Sequence, residues 1–341
     1  RPCCRGGSRR SGSGSATVVG ESAGYPAHYA ALLNAAFAHS MDFDDTHRAA
    51  IMHVGTPVFA ALMAVAEGRA TSGREFLLAA AGGYEVSCKL GVGHLDLVHL
   101  RGFHPTATTG VFGATAAASR LMGLSPDVVE SALGLDLTFS SGNQQFADGG
   151  GANKSLQVGL AAHNAIVSLT LAAAGLAGTR QPLEGRLGYY ATYAEPGSDL
   201  ARADFASPAP SEVMQMGIKP YPCCRYSHGT IDAVSGLVAQ HGLTPGDIQA
   251  ISVEVPPAGF RLVGADPDLK RRPASTVDAQ FSNYFAAAVA AAGRQYTWDS
   301  YGELGDPVLE GLMDRVSVRQ ADDLVDMQTR LTLTSSKGAW T

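Results

Sequence analysis

The chain has 341 residues, of which 45% are hydrophobic, 16% charged and 7% aromatic. This length predicts two domains with a sizeable core, and the low share of charged residues excludes a mainly disordered chain. The formal net charge of −6 argues against a general nucleic-acid-binding protein, because no net positive field attracts phosphate.

The N-terminal segment 1–15 is basic and rich in Gly and Ser, which predicts a flexible leader without the apolar core of a secretory signal. The cysteines are odd in number and include no CxxC pair, so neither a structural zinc site nor a disulfide framework is expected. They are Cys3, Cys4, Cys88, Cys223 and Cys224. This usage indicates a reducing, cytoplasmic setting.

Residues 26–188 follow a helical pattern. Thr56-Pro57 and Ser125-Pro126 are typical helix starts, and 73–91 carries apolar residues at helical spacing. The stretch 156–176 is apolar all round, which predicts a central helix buried on every side. It is long enough to span a membrane, but its Ala/Gly-rich composition and polar side chains favour a soluble core helix.

The composition changes at 206–210, which predicts a linker, and the chain 209–341 mixes helices with strands. Strands are expected at 251–255, 316–319 and 330–334, and helices at 230–241, 275–292 and 307–314. The sequence therefore predicts a mainly α protein, with a large all-helical domain at 16–208 and a smaller α+β domain at 209–341. No nucleotide-binding glycine loop is present.

The densest polar cluster is "HSMDFDDTHRAAIMH", residues 39–53. Its acids are Asp42, Asp44 and Asp45, and its C-terminal histidine is His53. Closely spaced carboxylates are costly to bury unless they are paired, and an Asp bonded to a His is a familiar acid–base arrangement. Two alternatives stay open: a helix end with solvated acids, and a metal site, for which no calcium-loop spacing is found.

Isolated basic residues mark three further segments. His104 precedes a helix of small residues, and Lys154 follows three glycines at the start of the most apolar helix. A lysine there is unfavourable against the helix dipole unless an anion is present. Lys219, Arg225 and His228 surround a proline-stiffened turn before a helix, a pattern that can hold an anion. Each could instead be structural.

Taken in order, these segments resemble the MmgE/PrpD (2-methylcitrate dehydratase) family. The resemblance rests on "HSMDFDDTH…MHVGTPV", "GYEVSCKLG", "GFHPTATTGVFGATAAASRLMGL", "KPYPCCRYSHGTIDA" and "QFSNYFAAA". It implies a helical domain, a smaller α+β lid and an active site between them in a homodimer. It implies no organic cofactor and no metal. The family also has earlier helices and a C-terminal helical return that this chain does not show.

The resemblance also implies site residues. Proton-transfer roles fall on Asp42, which would orient His53 or act itself, and on His104 and Tyr284; Tyr284 is otherwise a core aromatic. Binding of substrate carboxylates falls on a second set. It comprises Thr46, Lys154, Lys219, Arg225 and His228. Gln157 stands where many relatives have His, and Asp44 where methylcitrate dehydratases usually have Asn.

The implied activity is that of a lyase without a cofactor, a dehydratase acting on 2-methylcitrate or a similar tricarboxylate by proton abstraction beside a carboxylate. One alternative is an isomerase or decarboxylase of the same fold, acting on a small di- or tricarboxylate. Another is an inactive helical protein that binds carboxylates. The expected partner is a small polycarboxylate, with no nucleic acid and no membrane.

Overall fold

A computed structural model describes residues 14–94, 97–149, 151–195, 203–206 and 211–341. The predicted leader up to residue 13, the linker after Ala206 and two of the cysteines, Cys3 and Cys4, lie outside these residues. The described chain divides into two compact units. Unit 1 comprises the described residues up to Ser40, Asp44–Gln144 and Asn153–Ile218, and unit 2 comprises Met41–Phe43, the described part of Gln145–Ala152, and Lys219–Thr341.

Helices dominate the described residues. They are α1 (Ala27–Ser40), α2 (Gly55–Ala66), α3 (Gly73–His94), α4 (Leu97–Leu100), α5 (Pro105–Met122), α6 (Pro126–Phe139), α7 (Phe146–Gly149), α8 (Asn153–Ala173), α9 (His228–His241), α10 (Pro257–Val263), α11 (Pro267–Lys270), α12 (Thr276–Gln280), α13 (Asn283–Ala291) and α14 (Pro307–Met313). Shorter helical turns lie at Tyr190–Ala194, Glu212–Gln215, Arg225–Ser227 and Trp298–Glu303. The strands are β1 (Ala16–Thr17), β2 (Gly24–Tyr25), β3 (Thr46–His47), β4 (Met216–Gly217), β5 (Ile248–Val255), β6 (Val316–Gln320), β7 (Arg330–Ser335) and β8 (Gly338–Trp340).

Unit 1 is a helical assembly around α8, which packs against α1, α2, α5 and α6. Its alanines and glycines let the helices approach closely: a Cβ on Gly159 would lie 2.7 Å from the backbone oxygen of Leu32. The expectation that α8 is buried on every side is wrong, because Leu156 and Leu171 are exposed. Within the described residues α8 alone is long and apolar enough to cross a membrane, and half of its most apolar stretch is buried within the protein.

An acidic side chain, Asp136 on α6, is fully buried in the core of unit 1. The hydroxyls of Thr115 and Ser168 flank its carboxyl group. Among the described residues, neither carboxyl oxygen has a hydrogen bond of good geometry. Burial raises the pKa of Asp136 well above its usual value, so the folded chain holds this side chain in the protonated form.

This raised pKa predicts a pH-dependent loss of stability. A folded state that binds the proton more tightly is favoured below the unfolded pKa, and the advantage is lost as the pH rises toward the folded pKa. The Asp136→Asn variant cannot ionise, so its melting temperature relative to the parent chain should increase as the pH rises above about 4, the usual pKa of an aspartate. The free-energy difference should grow by up to about 1.4 kcal/mol per pH unit. A difference that is constant across this range would contradict the prediction.

Unit 2 contains a four-stranded sheet with the order β6-β5-β7-β8. β5 runs parallel to β6 and antiparallel to β7, and β7 pairs antiparallel with β8. Alternate residues of β5, including Ile251, Val253 and Val255, belong to a core that also contains most of α13. α9 packs against β7 and α13, and α13 packs against β6. The prediction of a mainly α protein with a helical part and a smaller α+β part is confirmed.

Several predicted elements differ in detail. The predicted helix 275–292 is two helices, because the Ser282 side chain accepts a hydrogen bond from the Phe285 backbone and starts α13 afresh. Thr56 does not cap α2, which begins at Gly55; its hydroxyl instead donates to Asp44 Oδ2 at 2.8 Å. β8 was not predicted.

Candidate active site

The polar cluster of residues 39–53 forms its central contact across the end of α1. His39 lies in the last turn of that helix, and Asp44 lies in the segment that follows the helix. His39 Nδ1 lies 2.5 Å from Asp44 Oδ2. Both side chains are nearly or fully buried, at 0% and 8% exposure. A buried carboxylate is tolerated here because it has N–H and O–H donors around it.

His53 is the second imidazole on Asp44, with 3.2 Å between His53 Nδ1 and Asp44 Oδ1. The same Nδ1 lies 3.0 Å from the backbone oxygen of Asp45. A carbonyl oxygen only accepts, so Nδ1 of His53 carries a hydrogen. Asp44 is therefore a carboxylate in contact with His53, whereas the sequence favoured Asp42 for this place.

Asp45 supports this arrangement from behind. Its side chain accepts hydrogen bonds from the Gly55 backbone at 3.0 Å and from the Tyr84 hydroxyl at 2.6 Å. A Cβ on Gly55 would lie 2.5 Å from that hydroxyl oxygen, so only glycine permits the approach. Burial raises the pKa of Asp45, which these donors partly offset.

Lys154 reaches the cluster from the first turn of α8. Its Nζ lies 2.9 Å from His39 Nε2, and the lysine is itself buried. An ammonium group has no acceptor, so His39 must accept through Nε2 and donate through Nδ1 to Asp44. Lys154, His39 and Asp44 thus form a chain of hydrogen bonds with one consistent polarity.

His104 completes the group of imidazoles, stacked on His39 with ring centroids 5.7 Å apart. Its Nδ1 lies 3.1 Å from Gln157 Oε1, one turn of α8 beyond Lys154. The amide oxygen is an acceptor, so His104 carries its hydrogen on Nδ1 and its lone pair on Nε2. Gln157 Nε2 in turn donates to the backbone oxygen of Asn143 at 3.1 Å, which fixes the amide orientation.

Burial keeps the imidazoles of His39 and His104 neutral at neutral pH. It lowers the pKa of His39 to about 4, against the opposing effect of Asp44. It lowers the pKa of His104 well below the usual range, and the neighbouring His39 and Lys154 act in the same direction. Burial opposes ionisation of Asp44, but its histidine partners outweigh burial and hold its pKa well below normal. The positive charge of this cluster therefore resides on Lys154.

The Gln157–His104 contact gives a direct test of this electrostatic description. In the Gln157→Glu variant a carboxylate would accept from His104 Nδ1–H and stabilise the imidazolium. The titration midpoint of His104, followed by NMR of the ring carbons, should rise by more than about one pH unit. The Gln144→Glu variant, which places the same charge beside His99, is the control and should leave His104 unchanged. An unchanged midpoint in Gln157→Glu would show that the amide does not set the state of His104.

His39, Asp44 and His53 also match a metal-ligand set by residue type and proximity. The hydrogen bonds of these three residues disfavour metal binding. Both Nδ1 atoms that face Asp44 are assigned as N–H donors, and ligation through His39 Nδ1 would turn an Nε2–H group toward Lys154.

Unit 2 holds a separate buried ion pair. Lys219 Nζ lies 3.1 Å from Asp42 Oδ1 and donates to the Asp42 backbone oxygen at 2.9 Å. Asp42 adopts a left-handed conformation with φ of 47°, which aspartate tolerates. The charge of Lys219 is thus matched by a carboxylate within its own unit.

His228 begins α9 in unit 2 and is fully buried. Its Nε2 lies 3.3 Å from the backbone oxygen of Cys223. Burial, with the charges of Lys219 and Arg225, lowers the pKa of His228 to about 3. His228 is therefore neutral at neutral pH in the chain without a ligand. Arg225 starts the short helical turn before it and is half-buried.

Two other expected site residues have structural contacts. The Tyr284 hydroxyl donates to the Gly264 backbone oxygen at 3.4 Å, and the ring packs in the unit 2 core with the Arg271 guanidinium 5.1 Å from its centroid. Burial raises its pKa. This matches the alternative of a core aromatic. Thr46 lies in β3 and donates to the Gly217 oxygen at 3.4 Å.

Of the expected residues, the structure brings His53, His104 and Lys154 into one cluster in unit 1. Sequence reasoning missed the roles of His39, Asp44 and Gln157 there. The available signal was a histidine at the end of an apolar helix, five residues before an Asp. The described cysteines Cys88, Cys223 and Cys224 are buried, and burial raises the pKa of Cys223 well above normal.

Two domain families match this chain, one in its N-terminal part and one in its C-terminal part. Residues 7–200 match the MmgE/PrpD N-terminal domain, and residues 221–333 match the MmgE/PrpD C-terminal domain. Cis-aconitate decarboxylase from Aspergillus terreus is 27% identical over 321 residues, which cover 86% of this chain and 64% of the relative. Cis-aconitate decarboxylase from Homo sapiens is 32% identical over 241 residues, covering 68% and 50%. The chain thus spans less than two thirds of the length of these curated relatives. Since the two domain matches cover most of its length, the chain belongs to the MmgE/PrpD family.

Proposed function

We propose that the chain is a carboxy-lyase that removes CO2 from cis-aconitate or a similar unsaturated tricarboxylate without a cofactor. The observation that carries this proposal is the contact of the buried Lys154 with a group of three imidazoles, those of His39, His53 and His104. The names of the relatives favour loss of CO2 over the dehydration that we expected first.

Loss of CO2 leaves an electron pair on the substrate, and this negative charge must be stabilised. When the C–C bond to the departing carboxylate breaks, its electrons pass through the adjacent double bond into a second carboxylate, which becomes an enediolate. Lys154 supplies the compact positive charge that stabilises this species. Such preorganised charge is worth most where water is excluded, and Lys154 is buried.

The reaction also needs one proton on carbon. His104 is neutral in the free chain, but a bound polycarboxylate favours the imidazolium and raises its pKa. His104 would take up a proton with the substrate and deliver it to the carbanion from Nε2. In the overall reaction, the trianionic substrate and one proton give a dianionic product and CO2. His53, oriented by Asp44, presents its own Nε2 as a second candidate for the same transfer.

Product analysis tests this proposal. The chain is incubated in D2O with cis-aconitate, 2-methylcitrate and citrate, and proton and carbon NMR follow each acid. We expect cis-aconitate to release CO2 and give an unsaturated dicarboxylate carrying one deuterium. Loss of water from 2-methylcitrate without release of CO2 from any of the acids would instead identify a dehydratase. Deuterium exchange with no other loss would indicate an isomerase, and binding without any reaction an inactive carboxylate-binding protein.

Some implications of the resemblance stay predictions. They are the homodimer, the cytoplasmic location, the catalytic parts of Asp42 and Tyr284, and carboxylate binding by Thr46, Lys219, Arg225 and His228. The contacts of Asp42, Tyr284 and Thr46 described above can be explained without a substrate.

A further inference from the structure

The last turn of α1 holds an imidazole that the proposed reaction does not use directly. His39 is 1% exposed and contacts four polar side chains of unit 1, namely Asp44, Lys154, His53 and His104. Both of its ring nitrogens have partners, so it has no free lone pair or hydrogen for a substrate. Its place between a cation and an anion suggests a role through Lys154.

We propose that His39 is a positioning residue: held by Asp44 as the Nδ1–H tautomer, it fixes the ammonium group of Lys154 through Nε2. The inference deepens the proposed function, because it assumes that Lys154 meets a substrate carboxylate.

The geometry explains why an imidazole is needed. A carboxylate directly on Lys154 would neutralise the charge that the substrate requires, as Asp42 does for Lys219 in unit 2 at 3.1 Å. A neutral imidazole accepts one hydrogen bond from the ammonium and leaves the net charge in place. Asp44 lies one ring further away, where it selects the tautomer without binding Lys154 itself.

Three substitutions at His39 distinguish the contributions of its two hydrogen bonds. Gln places an amide oxygen near the Nε2 position and keeps the acceptor for Lys154. Asn places an amide N–H near the Nδ1 position and keeps only the donor to Asp44. Phe keeps the ring shape without either. We expect His39→Phe and His39→Asn to raise KM and weaken citrate binding about 10- to 100-fold, and His39→Gln to stay within about threefold of the parent chain.

A double-mutant cycle distinguishes positioning from general damage to the fold. If His39 acts through Lys154, then His39→Phe should change citrate affinity less than about twofold in the Lys154→Met background. His163→Phe, further along α8, is the control and should leave citrate affinity unchanged. An undiminished effect in the Lys154→Met background, or no effect in either background, would overturn the proposal.

Two readouts keep this test independent of turnover. Citrate affinity is measured by calorimetry, so the positioning role can hold even where no CO2 is released and the carboxy-lyase proposal fails. In the unmutated chain, nitrogen-15 NMR should show His39 protonated at Nδ1, and its Nε2 signal should move in Lys154→Met. A His39 ring protonated at Nε2 would overturn the proposal without any His39 variant having to fold.

Discussion

The Lys154→Met variant should lose at least ~100-fold in kcat for CO2 release from cis-aconitate, because the enediolate would form without its main counter-charge. Methionine keeps the length and apolar stem of lysine, so the packing at the start of α8 should survive. The loss should appear in kcat as well as in affinity, since the charge that Lys154 meets increases as the bond breaks. Steady-state kinetics with direct CO2 measurement provides both parameters.

A second buried lysine of unit 1 offers the matched control. Lys89 on α3 donates to the Asp204 backbone oxygen at 3.0 Å and lies 3.7 Å from Glu85. Lys89→Met should lower thermal stability while leaving kcat within about twofold per folded molecule. Equal losses of kcat in both variants would show that burying a methionine, and not removing the charge of Lys154, causes the effect.

The His104→Asn variant should lower kcat by ~100-fold or more, the range expected for losing a general acid. Asparagine can still donate to Gln157 from the position of Nδ1, so the contact at 3.1 Å has a substitute. It lacks Nε2, the atom assigned to proton delivery. The expected result is therefore a loss of turnover with citrate binding retained within about threefold.

His99 provides the control for this substitution. Its Nδ1 accepts from Gln144 at 2.6 Å, a bond that the side-chain oxygen of asparagine can replace. His99→Asn should keep normal kcat. If His104→Asn turned over at a near-normal rate, the proton would have to come from elsewhere, and His53 would be the next residue to replace.

The sequence predicted much of the fold for physical reasons. Helical spacing of apolar residues located α3, and Pro at the first helical position marked the start of α6. Alternation of β-branched residues located β5, β6 and β7. Local spacing failed at 275–292, where Ser282 interrupts a run that is apolar enough to continue as one helix.

The site was predictable only in part. Lys154 and His104 stood out because a cation at a helix start and a histidine before a proline are locally unusual. The choice between Asp42 and Asp44 could not be made from order in the chain. It depends on the left-handed turn at Asp42, after which Asp44 faces His39 while Asp42 pairs with Lys219. Burial, which makes His104 and His228 neutral, is likewise a property of the folded chain.

We propose that a tricarboxylate binds at the unit 1 cluster of Lys154 and the imidazoles. NMR of the histidine rings, recorded while citrate is added to the unmutated chain, tests it most directly. We predict that the signals of His39, His53 and His104 move together in one saturable transition, with His104 gaining a proton, while His163, about 13 Å along α8 from Lys154, stays fixed. Saturable citrate binding that leaves these three signals unchanged would contradict the account.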